Sequence, residues 1–161
     1  MIFVTVGHQM PFDRMVRAID QWAMSNSRDD VFAQIGSTEY VPEHIEWSER
    51  VDPMDFRQRI KDADVVVAHA GMGTILTAFE LGTPILVMPR KGSLHETRND
   101  HQIATAERFL EMGRLSVAMD ETELPKMLDQ MSNLTATGVI SSHASPELIE
   151  ALAAFIHRAD D

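Results

Sequence analysis

The stretch Asp64-Val65-Val66-Val67-Ala68-His69-Ala70-Gly71-Met72-Gly73-Thr74-Ile75-Leu76 decides the fold. Its first half is a continuous apolar run rather than an alternating one, the pattern of a strand buried on both faces of a parallel sheet. Two glycines two positions apart follow. The next run reads as a helix over residues 71–81 that stops at Gly82, with Pro84 just beyond. A buried strand that passes through a glycine turn into a helix is the opening of a crossover unit.

The rest of the chain repeats that alternation. Residues 2–6 read as a first strand. Phe12, Met15, Val16, Ile19, Trp22 and Ala23 then recur at helical spacing over residues 12–24. Residues 31–35 are a second strand closed by Gly36, and residues 45–51 alternate apolar and polar as an edge strand does. A short helix is expected over 54–61, a buried strand over 84–88 and a loop over 89–97. A helix over 99–112 stops at Gly113, and a last strand covers 115–119. Residues 121–131 and 146–158 are amphipathic helices, joined by a linker over 134–145 that is rich in Ser, Thr and Gly. The expected class is α/β, a Rossmann-like parallel sheet with helices on both faces. It forms one domain over residues 1–161, with a core over about 1–132 and a closing helix over 146–158. With a strand beginning at residue 2, the expectation is a chain that starts inside its sheet and carries no preceding domain.

Composition narrows the partners. A formal net charge of -11 over 161 residues argues against nucleic acid or an anionic membrane surface, both of which select basic proteins. Cysteine is absent, so no disulfide framework or thiolate metal site can form. No run approaches the roughly 18 apolar residues of a membrane span. Seven histidines are present, but no two of them stand at the four-residue helical spacing of a zinc pair, His95 and His101 being six apart, so no protein-held metal is expected.

In parallel sheets ligands bind beyond the carboxyl ends of the strands, and four post-strand segments carry suitable chemistry. Gly7-His8-Gln9 follows the first strand. His69-Ala70-Gly71-Met72-Gly73-Thr74 puts a glycine loop at a helix start, where unpaired N–H groups and the helix dipole favour an anion. This is neither a Walker loop nor a full dinucleotide motif, since Leu76 stands where a third glycine would be. The segment from Pro89 to Gln102 is densely polar. Within it Arg90, Lys91 and Arg98 each read as solvated loop cations, Asn99 or Asp100 as the cap of the next helix, and His101 and Gln102 as first-turn residues facing a cleft. Arg50-Val51-Asp52-Pro53 reads as a capped helix start, with Asp52 as cap and Pro53 at the first helical position.

Taken in order, residues 2–14 (Ile-Phe-Val-Thr-Val-Gly-His-Gln-Met-Pro-Phe-Asp-Arg), 69–74, Gly82-Thr83-Pro84 and Asn99-Asp100-His101-Gln102 resemble the family 28 glycosyltransferase C-terminal domain, the donor-binding half of a GT-B enzyme. The resemblance covers roughly residues 1–125. It is nearest to small stand-alone members: PssE-type subunits of exopolysaccharide biosynthesis and catalytic subunits of lipid-linked UDP-GlcNAc transferases. It implies a UDP-sugar donor, no cofactor, an inverting hexosyl transfer and a lipid-linked or polysaccharide acceptor. A membrane-associated acceptor-binding subunit would recruit the chain from the cytoplasm to the inner face of the membrane. By similarity Gly7, His8 and Gln9 face the diphosphate. His69, Gly71, Met72, Gly73 and Thr74 form the phosphate loop, the backbone near Val51 lies by the uracil, and Glu96, His101 and Gln102 approach the sugar or diphosphate. The chain departs from the pattern at His8, where relatives carry a small hydroxyl residue, and at Thr77, where many carry a ribose-binding Glu. No general base is visible, so the catalytic residue is unassigned. A non-catalytic nucleotide-sugar-binding or regulatory subunit is the alternative, and an unrelated Rossmann-like binding module a third.

Overall fold

The computed structural model describes residues 1–134, 136, 139–141 and 143–158, the last two as backbone only. Six strands form one sheet in the order β3-β2-β1-β4-β5-β6: β1 (Ile2–Thr5), β2 (Val31–Gln34), β3 (Glu46–Ser48), β4 (Val65–His69), β5 (Ile85–Met88) and β6 (Ser116–Val117). All five pairings are parallel, with Ile2 opposite both Val31 and Val65, and Val66 opposite Ile85. The helices are α1 (Asp13–Ser25), α2 (Pro53–Asp62), α3 (Met72–Leu81), α4 (His101–Glu111), α5 (Leu124–Asp129) and α6 (Pro146–Arg158).

The period-two geometry of the strands divides the core in two. Ile2, Val4, Val65, Val67, Leu86 and Met88 pack with Met15, Val16, Ile19 and Trp22 of α1 and with Leu124 and Leu128 of α5. Phe3, Val66, Ala68, Ile85 and Val87 point the other way, onto Ile60 of α2, Ile75, Ala78 and Phe79 of α3, and Ala106 of α4. Each fully buried large side chain contributes about 1.5–3 kcal/mol by leaving water, so the continuous apolar runs of the central strands are what both layers require.

Local chemistry sets the boundaries. Asp52 caps α2, its side chain accepting from the Met54 N–H at 2.9 Å with Pro53 at the helix start. Gly82 ends α3 in the left-handed region at φ 67°, returning its N–H to the last turn. The two edge strands are shorter than their sequence pattern. Beyond Ser48 the hydroxyl of that residue turns back to donate to the Arg50 carbonyl at 2.7 Å, and β6 has a neighbour on one side only. Helix α4 starts at His101, with Asp100 at the N-cap position but its side chain making no cap hydrogen bond. The Asp100 carboxylate accepts from the Gly92 N–H at 2.8 Å instead. Helix α5 starts late because the Asp120 carboxylate holds Thr122 and Glu123 in a turn before Pro125.

The expected linker over 134–145 lies partly outside the described residues. Within it, Ile140 packs on the α3 side of the core and donates its N–H to the Phe79 carbonyl at 3.3 Å. Helix α6 differs from the rest. Leu148, Ile149, Leu152, Phe155 and Ile156 fall on one face of it, each 51–72% exposed. Among the described residues no helix is long and apolar enough to cross a membrane.

Candidate functional site

Strand order reverses where β1 lies between β2 and β4, and the loops leaving β1 and β4 diverge there into a crevice. A cavity of about 530 Å³ occupies it. Thr5, Gly7, His8 and Gln9 line one wall, His69, Gly71, Gly73, Thr74 and Thr77 the floor, Phe56 one end, and His101 and Gln102 the other side. A second cavity of about 630 Å³ lies between α1 and α5, where side chains such as Arg17, Trp22 and Pro125 line it without any glycine loop.

The glycines of the site answer to different constraints. Gly7 sits at φ 76°, and a Cβ there would lie 2.7 Å from His69 Cε1. A Cβ on Gly71 would lie 2.1 Å from His69 Nε2. Both must therefore be bare because the His69 imidazole fills the space between the two loops. A Cβ on Gly73 would meet nothing within 4 Å, so what that glycine leaves open is the cavity itself. Helix α3 begins at Met72 with Gly71 as an N-cap that offers no side chain, and no acidic residue stands in its first turn. Its leading N–H groups are thus free of side-chain competitors, with the positive end of the helix dipole behind them.

Electrostatics complete the picture. Among the described residues that line the 530 Å³ cavity none is Asp or Glu. Burial, and then the charge of Arg90, push His69 down to about 4, so its ring is neutral at physiological pH. His69 Nδ1 is buried without a hydrogen-bond partner. Thr77 spends its hydroxyl proton on the Gly73 carbonyl at 2.8 Å. Glu80 is paired with Arg57 at 3.0 Å, outside the cavity lining.

Of the residues singled out by sequence, Gly7, His8, Gln9, His69, Gly71, Gly73, Thr74, His101 and Gln102 are brought together. Val51, Met72 and Glu96 are not among the lining residues of that cavity. Val51 precedes α2, and the Met72 side chain is 45% exposed. The Glu96 carboxylate is committed: it accepts from Arg14 at 2.8 and 2.9 Å and from the Lys91 N–H at 2.9 Å. Gln102 accepts from the Arg90 N–H at 3.2 Å through its side-chain oxygen. His101 Nδ1 contacts Asn99 Oδ1. Arg90 is no solvated loop cation; it is 3% exposed. Sequence reasoning missed Thr5 and Phe56. Thr5 sits inside a strand, where its hydroxyl donates to Gln34 at 2.7 Å, and Phe56 carried no signal beyond a helical apolar position.

A family model described as the glycosyltransferase family 28 C-terminal domain matches residues 1–145. The chain belongs to this family. The six-stranded parallel sheet has the fold of the GT-B glycosyltransferases. Human UDP-N-acetylglucosamine transferase subunit ALG13 is 29% identical over 124 residues, which are 71% of this chain and 10% of that protein. The chain therefore spans about a tenth of this curated relative. A solution structure of ALG13 superimposes with a TM-score of 0.59 at 20% identity, covering 88% of this chain and 90% of that one. The calicheamicin glycosyltransferase CalG4 gives a TM-score of 0.56 at 21% identity over 80% of this chain and 34% of its own. MurG of Acinetobacter baumannii gives 0.56 at 17% identity over 81% of this chain and 40% of its own. The family model alone makes the chain a glycosyltransferase family 28 C-terminal domain; the solved structures share its fold.

Proposed function

We propose that the chain is the donor-binding catalytic subunit of a two-component glycosyltransferase, moving a hexose from a UDP-sugar to a lipid-linked or polysaccharide acceptor, as in exopolysaccharide biosynthesis. The observation that carries the reading is the acid-free cavity at the strand reversal, floored by a glycine loop and the uncapped start of α3 in a family 28 domain. The diphosphate lies on the N–H groups of Met72, Gly73 and Thr74, beside Gly7, His8 and Gln9. The nucleoside extends toward Phe56 and Thr77, with the backbone near Val51 beyond, and the sugar toward His101 and Gln102.

An acceptor hydroxyl attacks the anomeric carbon. The bond from that carbon to the diphosphate oxygen breaks, the configuration inverts, and the nucleoside diphosphate leaves with the electron pair. Charge building on the leaving oxygen is met by the fixed N–H dipoles. The proton of the attacking hydroxyl goes to a general base left unassigned among this chain's residues, for which the acceptor-binding partner is the proposed source. The partner is membrane-associated and holds the chain at the cytoplasmic face of the membrane. The exposed apolar face of α6 is a surface suited to it. The same acid-free lining favours a second reading, a non-catalytic nucleotide-sugar-binding or regulatory subunit.

One experiment covers both. Calorimetry with UDP, UDP-sugars and NAD is followed by assay of sugar transfer to a lipid-linked acceptor by the chain alone, the partner alone and the two together. Uridine nucleotide binding, no NAD binding and turnover only in the mixture are expected. Robust transfer by the chain alone refutes the two-component reading. Donor binding without turnover in the mixture selects the non-catalytic one.

A further inference from the structure

Arg90 is unlike the other cations of this acidic chain. Its guanidinium is buried, yet it forms no ion pair within bonding distance among the described residues. It donates instead to three backbone carbonyls, Val6 at 2.6 Å, Pro11 at 2.5 Å and Glu96 at 3.0 Å. The Phe12 ring stacks under it, with 4.7 Å between the guanidinium carbon and the ring centroid. The nearest acid is Glu96, whose two oxygens are already spent on Arg14 and the Lys91 N–H. Burial lowers Arg90 to about 10, which leaves it protonated at neutral pH.

A buried charge without a bonded counter-ion is costly, and hydrophobic replacement of such groups often stabilises a fold. Its location points to what offsets that cost. Arg90 opens onto a small cavity of about 60 Å³ whose other walls include His8, Gln9, His69 and Gln102. Those four residues also line the donor cavity. The bonds of Arg90 join the loop after β1 to the loop after β5, and its own N–H is held by Gln102 of α4. The side chain thus ties the loop after β1 to the loop after β5, and it lines a small cavity that shares four residues with the donor cavity.

We infer that Arg90 is the charge-bearing residue of the donor site, a fixed internal cation held by the β1 and β5 loops that serves as the protein's counter-charge to a bound nucleoside diphosphate. The inference rests on the donor-binding reading above. It assigns that charge to one buried residue; Lys91 lines neither cavity, and Arg98 lines a further cavity of about 630 Å³ beside Gln9 and His101.

The test separates charge from architecture by varying the charge of the ligand. Binding of UDP and of uridine is measured by calorimetry and by chemical-shift titration for wild type, Arg90→Met and Arg90→Lys. Arg90→Met is expected to lose at least about tenfold in UDP affinity while its uridine affinity stays within about twofold, the signature of a missing buried countercharge. Arg90→Lys keeps a charge but loses the forked bonds and the Phe12 contact, and is expected to fall between wild type and Arg90→Met in UDP affinity with uridine affinity unchanged. Parallel losses for UDP and uridine, or no loss for either, overturn the inference. If Arg90→Met does not fold by circular dichroism, Arg90→Lys decides: equal losses for UDP and uridine, or none for either, overturn it. Wild type that binds uridine but gains nothing from the diphosphate also overturns it. Wild type that binds neither ligand instead ends the donor reading on which it rests.

Discussion

Gly71 and Gly73 are two residues apart on the same loop, yet replacing each with alanine is expected to have opposite effects on stability. The added methyl in Gly71→Ala would sit 2.1 Å from His69 Nε2 and within 3 Å of two ring carbons. Ordinary contact is above about 3.4 Å, so the imidazole must retreat by more than an ångström. Behind it lies Gly7, where the backbone already approaches the ring so closely that no Cβ would fit. Overpacking of this kind costs about 1–3 kcal/mol, or a fall in Tm of about 3–9 °C for a chain of this size. Gly73→Ala meets no atom within 4 Å and replaces glycine in a helical turn, which is worth about 0.5–1 kcal/mol in its favour. Calorimetric melting of both variants reads the difference directly. In a His69→Ala background the Gly71→Ala penalty should shrink by at least about 1 kcal/mol, because the colliding partner is gone. Equal shifts for the two glycine variants, or a Gly71→Ala penalty that survives removal of the ring, would refute the packing argument.

Further outcomes follow from the same geometry. Gly73→Val should melt within about 3 °C of wild type but lose at least about tenfold in UDP affinity by calorimetry, because its branched side chain projects into the cavity over the α3 N–H groups; unchanged affinity in the folded variant rules this loop out as the phosphate site. His69, held near 4 when folded against about 6.5 unfolded, binds a proton more readily in the unfolded chain. Its contribution is complete above pH 6.5 and is lost as pH falls from there toward 4, by about 2–4 kcal/mol in total; urea titrations across that window should show a shallower slope for His69→Gln, and identical slopes would contradict it. Arg14→Ala leaves the Glu96 carboxylate, 10% exposed, without its guanidinium and should cost about 3–5 kcal/mol. Glu121→Gln, on the 44% exposed partner of the same arginine, should cost about 1 kcal/mol or less by urea denaturation; equal losses would show that burial is not what distinguishes the two pairs.

The parts of this molecule that were legible in the sequence are those in which burial acts on consecutive residues. Val65-Val66-Val67 and Ile85-Leu86-Val87 declare their strands because both faces of a central parallel strand are covered. Once the sheet is parallel, every post-strand loop arrives at one edge, which is why Gly7, His69, Gly73 and His101 could be grouped before any coordinate was known. The edge strands ran longer in the pattern than in the fold because pairing on one side, not alternation, decides where they stop. Arg90 was illegible for a related reason. In sequence it looks like its neighbour Lys91, and its burial is fixed by carbonyls 84 and 79 positions away. Glu96 looked available until Arg14, 82 positions upstream, took both its oxygens. The need for glycine at 7 and 71 likewise lies in a shared neighbour, His69, that spacing alone does not reveal.

The order of the sheet has a consequence for how the chain is made. β1 is the first strand to leave the ribosome, but it belongs between β2 and β4, and β4 is encoded more than thirty residues after β2 ends. Pairing with β2 satisfies one side of β1. Its other side stays open, with its backbone N–H and C=O groups unpaired and Phe3 lacking Val66 and α3 as cover. At roughly 5–20 residues per second the delay lasts on the order of seconds, long compared with the microseconds in which a hairpin forms. Nascent chains on neighbouring ribosomes would meet through that open edge. Slow codons placed before β4 would lengthen the exposure, whereas the same pause once β4 has emerged from the ribosome would let the central strand close first.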